Sequence, residues 1–177
     1  MDFFWGDERF VAPDSEDRNA RLVRADFLDR VGADPARVHE VPSTADVADV
    51  EAAATAYGER VRSAGAGRFA LVMLGVGPDG HVASLFPGFP QLDVDDHVAV
   101  AVTGSPKPPP ERVSLTFAAL NRADEVWFVV SGVDKAEAVG RALTTPPPDL
   151  HEIPAAGVRG EVETIWFLDR ESASRVP

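Results

Sequence analysis

The sequence predicts an α/β fold with a mostly parallel sheet, and three observations lead to this conclusion. Strand-like and helix-like segments alternate along the chain, as they do where helices connect parallel strands. The apolar run 69–74 stops abruptly in Gly75, Gly77 and Gly80, and a buried strand that ends in such a turn forms a ligand crevice in open α/β sheets. The length of 177 residues suits a single α/β domain, which we expect to span 1–177.

The predicted strands are short apolar runs bounded by glycine, proline or charged residues. The first begins at residue 2 and ends before Gly6, and the strongest is an almost uninterrupted apolar run ahead of Gly77. In chain order the predicted strands are 2–5, 38–41, 68–76, 97–102, 112–116, 125–130 and 164–168.

The predicted helices are segments in which apolar residues recur at helical spacing. In the first of them, Leu22, Phe27 and Val31 recur in this way between arginine and aspartate residues. The second is rich in alanine, and we expect Ser43 or Thr44 to cap it. In chain order the predicted helices are 17–31, 44–64, 118–121 and 134–143.

The composition excludes several classes of protein. The formal net charge is −12, whereas a nucleic-acid-binding protein needs a basic surface. The absence of cysteine excludes disulfides and thiolate chemistry. No apolar run approaches the ~20 residues of a membrane span, and the N-terminus lacks the pattern of a secretory signal. We therefore expect a cytoplasmic protein that binds neither nucleic acid nor membrane.

The glycine-rich turn brings two titratable residues, Asp79 and His81, to the end of the strongest predicted strand. Imidazole changes charge near neutral pH, so proton chemistry is expected here. Asp79 is placed to accept a hydrogen bond from the ring and to fix its tautomer. We expect a short helix over 82–86, with its N-terminus toward the crevice. A tight turn with a solvated histidine remains the alternative.

Two further pairs of charged residues are candidates for the crevice. Asp7 and Arg9 follow the first predicted strand at its carboxyl end, although a merely solvated loop fits equally well. Lys107 and Arg112 flank a stiff, proline-rich loop, and this pair is a candidate phosphate clamp in a chain so acidic. A surface loop with two charges is the alternative for the second pair.

The remaining histidines carry no metal-site signal. His39, His97 and His151 lie in separate segments without metal-ligand spacing. The glycines match neither the dinucleotide-binding fingerprint nor a P-loop. We therefore expect neither a metal nor a cofactor.

Two segments resemble the 6-phosphogluconolactonase family in specific motifs. They are Phe4-Trp-Gly-Asp-Glu-Arg-Phe-Val11, with Asn19 downstream, and Leu74-Gly-Val-Gly-Pro-Asp-Gly-His-Val-Ala-Ser-Leu-Phe-Pro87. Later segments fit as well and extend the resemblance over essentially the whole chain: 106–108, 112–116, 129–137 and 166–169. The resemblance implies a Rossmann-like three-layer α/β/α fold, shared with glucosamine-6-phosphate deaminases.

The resemblance also implies an activity and a set of roles. The family hydrolyses 6-phospho-D-glucono-1,5-lactone to 6-phosphogluconate, a carboxylic ester hydrolysis in the oxidative branch of the pentose phosphate pathway. His81 matches the general base that takes a proton from the attacking water, and Asp79 would orient it. An activated ester needs one positioned base and some oxyanion stabilisation, for which backbone N–H groups of the turn 77–80 are candidates. The residues matched to substrate binding are Asp7, Arg9, Gly75, Gly77, Gly80, Lys107 and Arg112.

Two positions favour a lactonase over a deaminase. Deaminases carry a glutamate five residues after the corresponding histidine, where this chain has Phe86, and usually an aromatic residue where it has Arg9. A deaminase/isomerase-like enzyme and a truncated, non-catalytic sugar-phosphate-binding domain are the alternatives.

The front of the chain departs from the family. Family members begin with a helix, a strand and a Gly-Gly-Ser/Thr loop that contributes to the phosphate site, and this chain contains none of them. The resemblance therefore implies an N-terminally truncated domain with part of the phosphate clamp absent and weak or no activity. An uncovered edge on the first strand would favour self-association, so we expect a monomer or a weak homo-oligomer.

Overall fold

The computed structural model describes residues 1–65 and 67–177. Its strands are β1 Phe3–Phe4, β2 Asp7–Arg9, β3 Val38–His39, β4 Phe69–Leu74, β5 Ala99–Val102, β6 Arg112–Leu115, β7 Ala123–Val130 and β8 Glu163–Leu168. Its α-helices are α1 Asn19–Val23, α2 Val50–Gly65, α3 Phe117–Leu120 and α4 Ala136–Ala142. α-Helices follow β2, β3, β6 and β7, whereas β1 and β2, and likewise β4, β5 and β6, follow one another without an α-helix between them, so the predicted alternation holds for part of the chain.

Parallel pairing predominates among the strands, which confirms the predicted α/β class. β1 pairs with β3, and β7 lies between β4 and β8, in each case in parallel. Leu74 lies opposite Phe128, and Phe128 lies opposite Trp166, so these residues share one face of the larger sheet. Since parallel strands end at the same edge, the turns after β4 and β7 meet there. The first strand, β1, is therefore paired along one edge, with β3.

A second sheet is antiparallel and has the order β2-β6-β5. The sequence did not predict β2, because Asp7-Glu8-Arg9 has no apolar alternation and favours a loop. The segment nevertheless pairs with β6, and Arg9 lies directly opposite Arg112. The pairing places two segments that are far apart in sequence side by side.

The first helix begins at Asn19, two residues later than predicted, and a π-helical turn, Arg24–Leu28, continues it. The reason for this start is a tertiary contact. The buried Glu8 carboxylate accepts hydrogen bonds from the N–H groups of Asn19 and Ala20, each at 2.7 Å. A side chain from β2 thus satisfies N–H groups that a helix leaves free at its start.

The second helix begins at Val50, so the prediction that Ser43 or Thr44 caps it was wrong. Asp49 fills this role, because its Oδ1 accepts from the Ala52 N–H at 2.8 Å. The Ser43 hydroxyl instead donates to Asp46 Oδ2 at 2.7 Å, which closes a separate turn ahead of the helix.

The short helix predicted over 82–86 is also absent from the structure, which has a tight turn there. The Leu85 N–H donates to the Val82 carbonyl at 2.9 Å, and Ala83 has a φ of +51°, in the left-handed region. Tertiary contacts outweigh the local preference, since the Ser84 N–H donates to Ser114 Oγ at 3.2 Å. A left-handed residue cannot continue a right-handed helix.

Buried apolar side chains between Trp5 and Val158 form one hydrophobic cluster. Helix α2 packs closely on β5, because a Cβ at Gly58 would lie only 3.6 Å from the Ala99 backbone nitrogen. The Tyr57 hydroxyl of the same helix donates to the Trp5 carbonyl and accepts from its N–H, both at 2.7 Å. This contact fixes the backbone just ahead of β2.

One face of the β4-β7-β8 sheet carries exposed apolar side chains. Met73 is 62% exposed, Val129 is 52% exposed and Phe167 is 46% exposed. Met73 and Val129 each lie between buried residues of their strands, and Phe167 lies between the half-buried Trp166 and Leu168, so this sheet is covered on one face and open on the other.

Candidate active site

An open cleft of about 540 Å³ lies where β1 and β4 end. Segments that are far apart in sequence line this cleft. Seven of the residues that the sequence assigns to the site line this cleft: Asp7, Arg9, Gly75, Gly77, His81, Lys107 and Arg112. The two remaining predicted residues, Asp79 and Gly80, belong to the turn between Gly77 and His81 but do not line the cleft.

The His81 ring is held by Asp79. The His81 Nδ1 lies 2.5 Å from Asp79 Oδ1, and the imidazole is 15% exposed. An ionised carboxylate only accepts hydrogen bonds, so Nδ1 carries the proton. The second ring nitrogen, Nε2, is then the one with a free lone pair.

The electrostatics of Asp79 support this tautomer. Burial opposes its ionisation, but the hydrogen bond from His81 and the charge of that ring outweigh burial and lower the pKa of Asp79 to about 2. The carboxylate is therefore ionised throughout the physiological range.

The His81–Asp79 pair lies directly over Gly77. A Cβ at Gly77 would be 2.0 Å from His81 Nδ1 and 2.5 Å from Asp79 Oδ1, so no larger residue fits beneath the pair. At Gly75, by contrast, a Cβ would meet nothing within 4 Å. Of these two glycines, only Gly77 is required by the geometry of the histidine.

Gly80 has a structural role in the turn that carries His81. Its φ is +83°, and a Cβ there would lie 2.9 Å from Ile153 Cδ1. Its N–H donates to the Gly77 carbonyl, and the Gly77 N–H donates to the His81 carbonyl, both at 2.9 Å. Because both N–H groups bond within the turn, neither is free to stabilise an oxyanion, contrary to the expectation for these two groups.

Glu8 anchors the second wall of the cleft. Its side chain is fully buried, and its Oε1 accepts from the N–H groups of Arg9 at 2.8 Å and Asn19 at 2.7 Å. Burial raises the pKa of Glu8, although the N–H groups of Ala20, Asn19 and Arg9 act in the opposite direction. Glu8 thus ties the end of β2 to the start of α1, and both of these segments line the cleft.

Arg9 is held in place by the residues that follow it. Its Nη1 donates to the Asn19 side-chain oxygen and to the Asp17 carbonyl, both at 2.8 Å. Its cross-strand partner is another arginine, Arg112. Like charges directly opposite in an antiparallel pair are destabilising, and an anion bound in the cleft would relieve this repulsion.

Arg112 braces the loop that carries Lys107. Its side chain is 5% exposed, and its guanidinium donates to the carbonyls of Lys107 at 3.0 Å and Pro109 at 3.2 Å. Burial lowers the pKa of Arg112, and the nearby charge of Arg9 lowers it further. Lys107 itself is exposed at the cleft.

Asp7 is oriented by a residue from the histidine turn. The Ser84 hydroxyl donates to Asp7 Oδ2 at 2.6 Å, and the same carboxylate oxygen lies 3.9 Å from Arg112 Nη1. The carboxylate therefore joins the β4 turn to the second wall.

Two cleft residues with an amide or charged side chain, Asn19 and Lys135, were missing from the predicted site. Asn19 belongs to the resemblance on which the prediction rests, but its bond to Arg9 depends on the tertiary fold. Lys135 lines the cleft from the segment after β7, and its side chain is 23% exposed. The sequence could have pointed to Lys135 because lysine is rare in this chain, which has two lysines, Lys107 and Lys135.

The arrangement suits hydrolysis of an anionic ester. It offers an oriented imidazole at one end and four cationic side chains around the cleft: Arg9, Lys107, Arg112 and Lys135. Within residues 1–65 and 67–177, no group of three or more histidine, aspartate or glutamate side chains could hold a metal ion. No helix in the same ranges is long and apolar enough to cross a membrane.

Known proteins with similar sequences and structures carry related names. A family model described as glucosamine-6-phosphate isomerases/6-phosphogluconolactonase matches residues 1–166. The 6-phosphogluconolactonase of Streptomyces coelicolor is 42% identical over 186 aligned residues, which cover 100% of this chain and 70% of that protein. The 6-phosphogluconolactonase of Mycobacterium tuberculosis is 42% identical over 182 residues, which cover 98% of this chain and 72% of that protein.

A solved structure shows the same fold. The crystal structure of 6-phosphogluconolactonase from Thermotoga maritima superposes with a TM-score of 0.83 at 34% sequence identity. The match covers 94% of this chain and 72% of that one.

Proposed function

Because the chain belongs to the glucosamine-6-phosphate isomerase/6-phosphogluconolactonase family, we propose that it hydrolyses 6-phospho-D-glucono-1,5-lactone to 6-phosphogluconate. This is the lactone-hydrolysing step of the oxidative branch of the pentose phosphate pathway. The observation that carries the proposal is the oriented imidazole of His81 in a cleft lined by cationic side chains. The relatives at 42% identity are named for this activity.

His81 acts as the general base. Its Nε2 takes a proton from a water molecule as the water oxygen attacks C1 of the lactone, while Asp79 stabilises the imidazolium that forms. When the tetrahedral intermediate collapses, the bond between C1 and the ring oxygen breaks. The imidazolium then returns its proton to that oxygen, and the open-chain acid is released.

The cationic walls of the cleft bind the phosphate. Lys107 presents an ammonium group at the cleft, and Arg112 holds the loop that carries it. Lys135 approaches from the segment after β7 and adds a further charge. In a chain with a net charge of −12, binding of an anion depends on such a local basic cluster.

Asp7 and Arg9 contact the sugar. The Ser84 hydroxyl fixes the Asp7 carboxylate, and Asn19 fixes the Arg9 guanidinium. Both side chains are thus held before substrate arrives, which lowers the entropy lost on binding. With the Gly77 and Gly80 N–H groups engaged in the turn, cationic side chains of the cleft supply the charge for the oxyanion.

The test is the rate of lactone disappearance. Freshly prepared lactone, mixed with the purified protein, should vanish faster than it hydrolyses spontaneously, in proportion to protein concentration. Ammonia release from glucosamine 6-phosphate would support the deaminase alternative instead. Phe86 argues against that outcome, since a phenyl ring cannot transfer a proton. Binding of 6-phosphogluconate without turnover would indicate a non-catalytic binding domain.

Three further expectations remain proposals. A single domain over 1–177 is supported by the one hydrophobic cluster. A monomer or weak homo-oligomer is expected, with weak association through the edge of β1 that is not paired with β3, and sedimentation at several concentrations tests it. The expected site of action is the cytoplasm, and the acidic composition argues against nucleic-acid partners.

A further inference from the structure

Phe86 contacts both the histidine and the arginine of the site. The centroid of its ring lies 4.6 Å from that of the His81 imidazole, with the two planes inclined at 40°. The Arg112 guanidinium carbon lies over the same ring, 5.8 Å from its centroid. The Phe86 ring thus contacts both the proposed general base and the guanidinium that braces the Lys107 loop.

The surroundings of Phe86 leave its ring little freedom. The residue is 1% exposed, and the ring of Phe89 packs against it with the centroids 5.5 Å apart. The Phe89 N–H donates to the Phe86 carbonyl at 3.2 Å, which closes the turn that follows the ring. In a close-packed interior such a ring transmits displacement rather than absorbing it.

The contacts continue from Arg112 into the loop that carries Lys107. The Arg112 guanidinium donates to the carbonyls of Lys107 and Pro108, at 3.0 and 3.3 Å. A continuous series of contacts therefore runs from the imidazole through Phe86 and Arg112 to the Lys107 loop.

The shape of the proposed substrate explains why these contacts between His81 and the Lys107 loop matter. In the six-membered lactone, C1 and C5 flank the ring oxygen, and C5 carries the methylene group that bears the phosphate, so the distance between C1 and the phosphate varies only within a limited range. A site for this molecule must hold its base and its phosphate-binding loop at a matching separation. A displacement of about 1 Å between them can cost a hundredfold in rate.

We propose that Phe86 is a positioning residue that fixes the His81 imidazole relative to the Lys107 loop. This inference rests on the proposed lactonase function. Phe86 touches no reacting atom and acts through the two side chains that it contacts.

The test compares two phenylalanine-to-leucine substitutions at buried rings, one in the turn and one in β7. Phe86→Leu keeps an apolar side chain but removes the ring from between His81 and Arg112. Phe128→Leu makes the same exchange at a buried ring of β7 that stacks on Trp166, and it serves as the matched control. For Phe86→Leu we expect kcat to fall about tenfold and KM for the lactone to rise, because the base and the loop lose their common support. Phe128→Leu should stay within about threefold of wild type, and Phe86→Tyr, which keeps the ring, should recover most of the activity.

A second readout does not depend on activity. In nitrogen-15 NMR spectra of labelled histidine, the His81 ring signals should shift in Phe86→Leu and stay close to wild type in Phe128→Leu. If Phe86→Leu fails to fold, Phe86→Met repeats the test with a flexible side chain of similar volume.

The outcomes separate the two claims. A wild-type protein without lactonase activity contradicts the proposed function, while the His81 spectra still test the positioning. An active wild type whose Phe86→Leu variant matches Phe128→Leu in kcat, KM and His81 signals overturns the positioning role and leaves the function intact.

Discussion

The His81 Nδ1 lies 2.5 Å from Asp79 Oδ1, so one carboxylate sets both the tautomer and the orientation of the imidazole. Replacing Asp79 with asparagine keeps the shape but removes the charge that stabilises the imidazolium. We expect Asp79→Asn to lower kcat by about a hundredfold, within the range that general base catalysis contributes. Steady-state kinetics check this, and a kcat within threefold of wild type would contradict the role of Asp79.

The same pair gives a pH-dependent stability. The pKa of Asp79 is about 2, below the ordinary value of 3.8, so the unfolded chain takes up its proton at a higher pH than the folded chain. The stabilisation is therefore complete above about pH 4 and is lost as the pH falls toward 2. Denaturant unfolding of wild type and Asp79→Asn should show a difference in stability that shrinks over this interval.

Gly77 is predicted to be essential for the position of the histidine rather than for folding. A Cβ at Gly77 would lie 2.0 Å from His81 Nδ1, and both side chains above it are partly exposed and able to move aside. We expect Gly77→Ala to fold but to lose about a hundredfold in kcat/KM. Gly75→Ala is the matched control, since a Cβ there meets nothing within 4 Å, and equal losses in the two variants would contradict the argument.

Glu8 is predicted to matter through stability. Its two carboxylate oxygens accept three backbone N–H groups, those of Arg9, Asn19 and Ala20. An amide offers one acceptor and turns its NH₂ group toward an N–H, so Glu8→Gln should lose about 2 kcal/mol in the free energy of unfolding. Urea denaturation measures this, and Glu16→Gln, at an exposed residue, is the control. No loss of stability would show that the buried carboxylate is dispensable.

Arg112 is predicted to be irreplaceable by lysine. Its planar guanidinium reaches the carbonyls of Lys107, Pro108 and Pro109 together, and an ammonium group cannot reproduce this geometry. We expect Arg112→Lys to raise KM for the lactone about tenfold while the protein stays folded. Arg30→Lys makes the same exchange at a side chain that is 73% exposed and should leave KM unchanged. An unchanged KM in Arg112→Lys would show that the loop needs no bracing.

Much of the fold was predictable because its main signals are local. The apolar run before Gly75 and the alternation of strands and helices directly gave β4 and the α/β class. The strand at Asp7-Glu8-Arg9 was not predictable, because its pairing with β6 depends on residues more than a hundred positions away. The turn at Ala83 escaped prediction for the same reason, since Ser84 is bonded to Asp7 and Ser114.

The candidate site was predictable as a set of residues but not as an arrangement. The motifs identified His81, Asp79 and three cationic residues, and the structure places most of them around one cleft. The three cationic residues are Arg9, Lys107 and Arg112. The sequence could not show that Arg112 braces a loop, that Gly80 supports a turn or that Lys135 reaches the cleft. Each of these depends on contacts between segments that only the folded chain brings together.

The most direct test of the central claim compares wild type with His81→Asn. Asparagine can still donate a hydrogen bond to Asp79 but cannot accept a proton from water at neutral pH. Initial rates of lactone disappearance, corrected for spontaneous hydrolysis, should be at least about a hundredfold lower in the variant at equal protein concentration. Equal rates for the two proteins would contradict the assignment of His81 as the base.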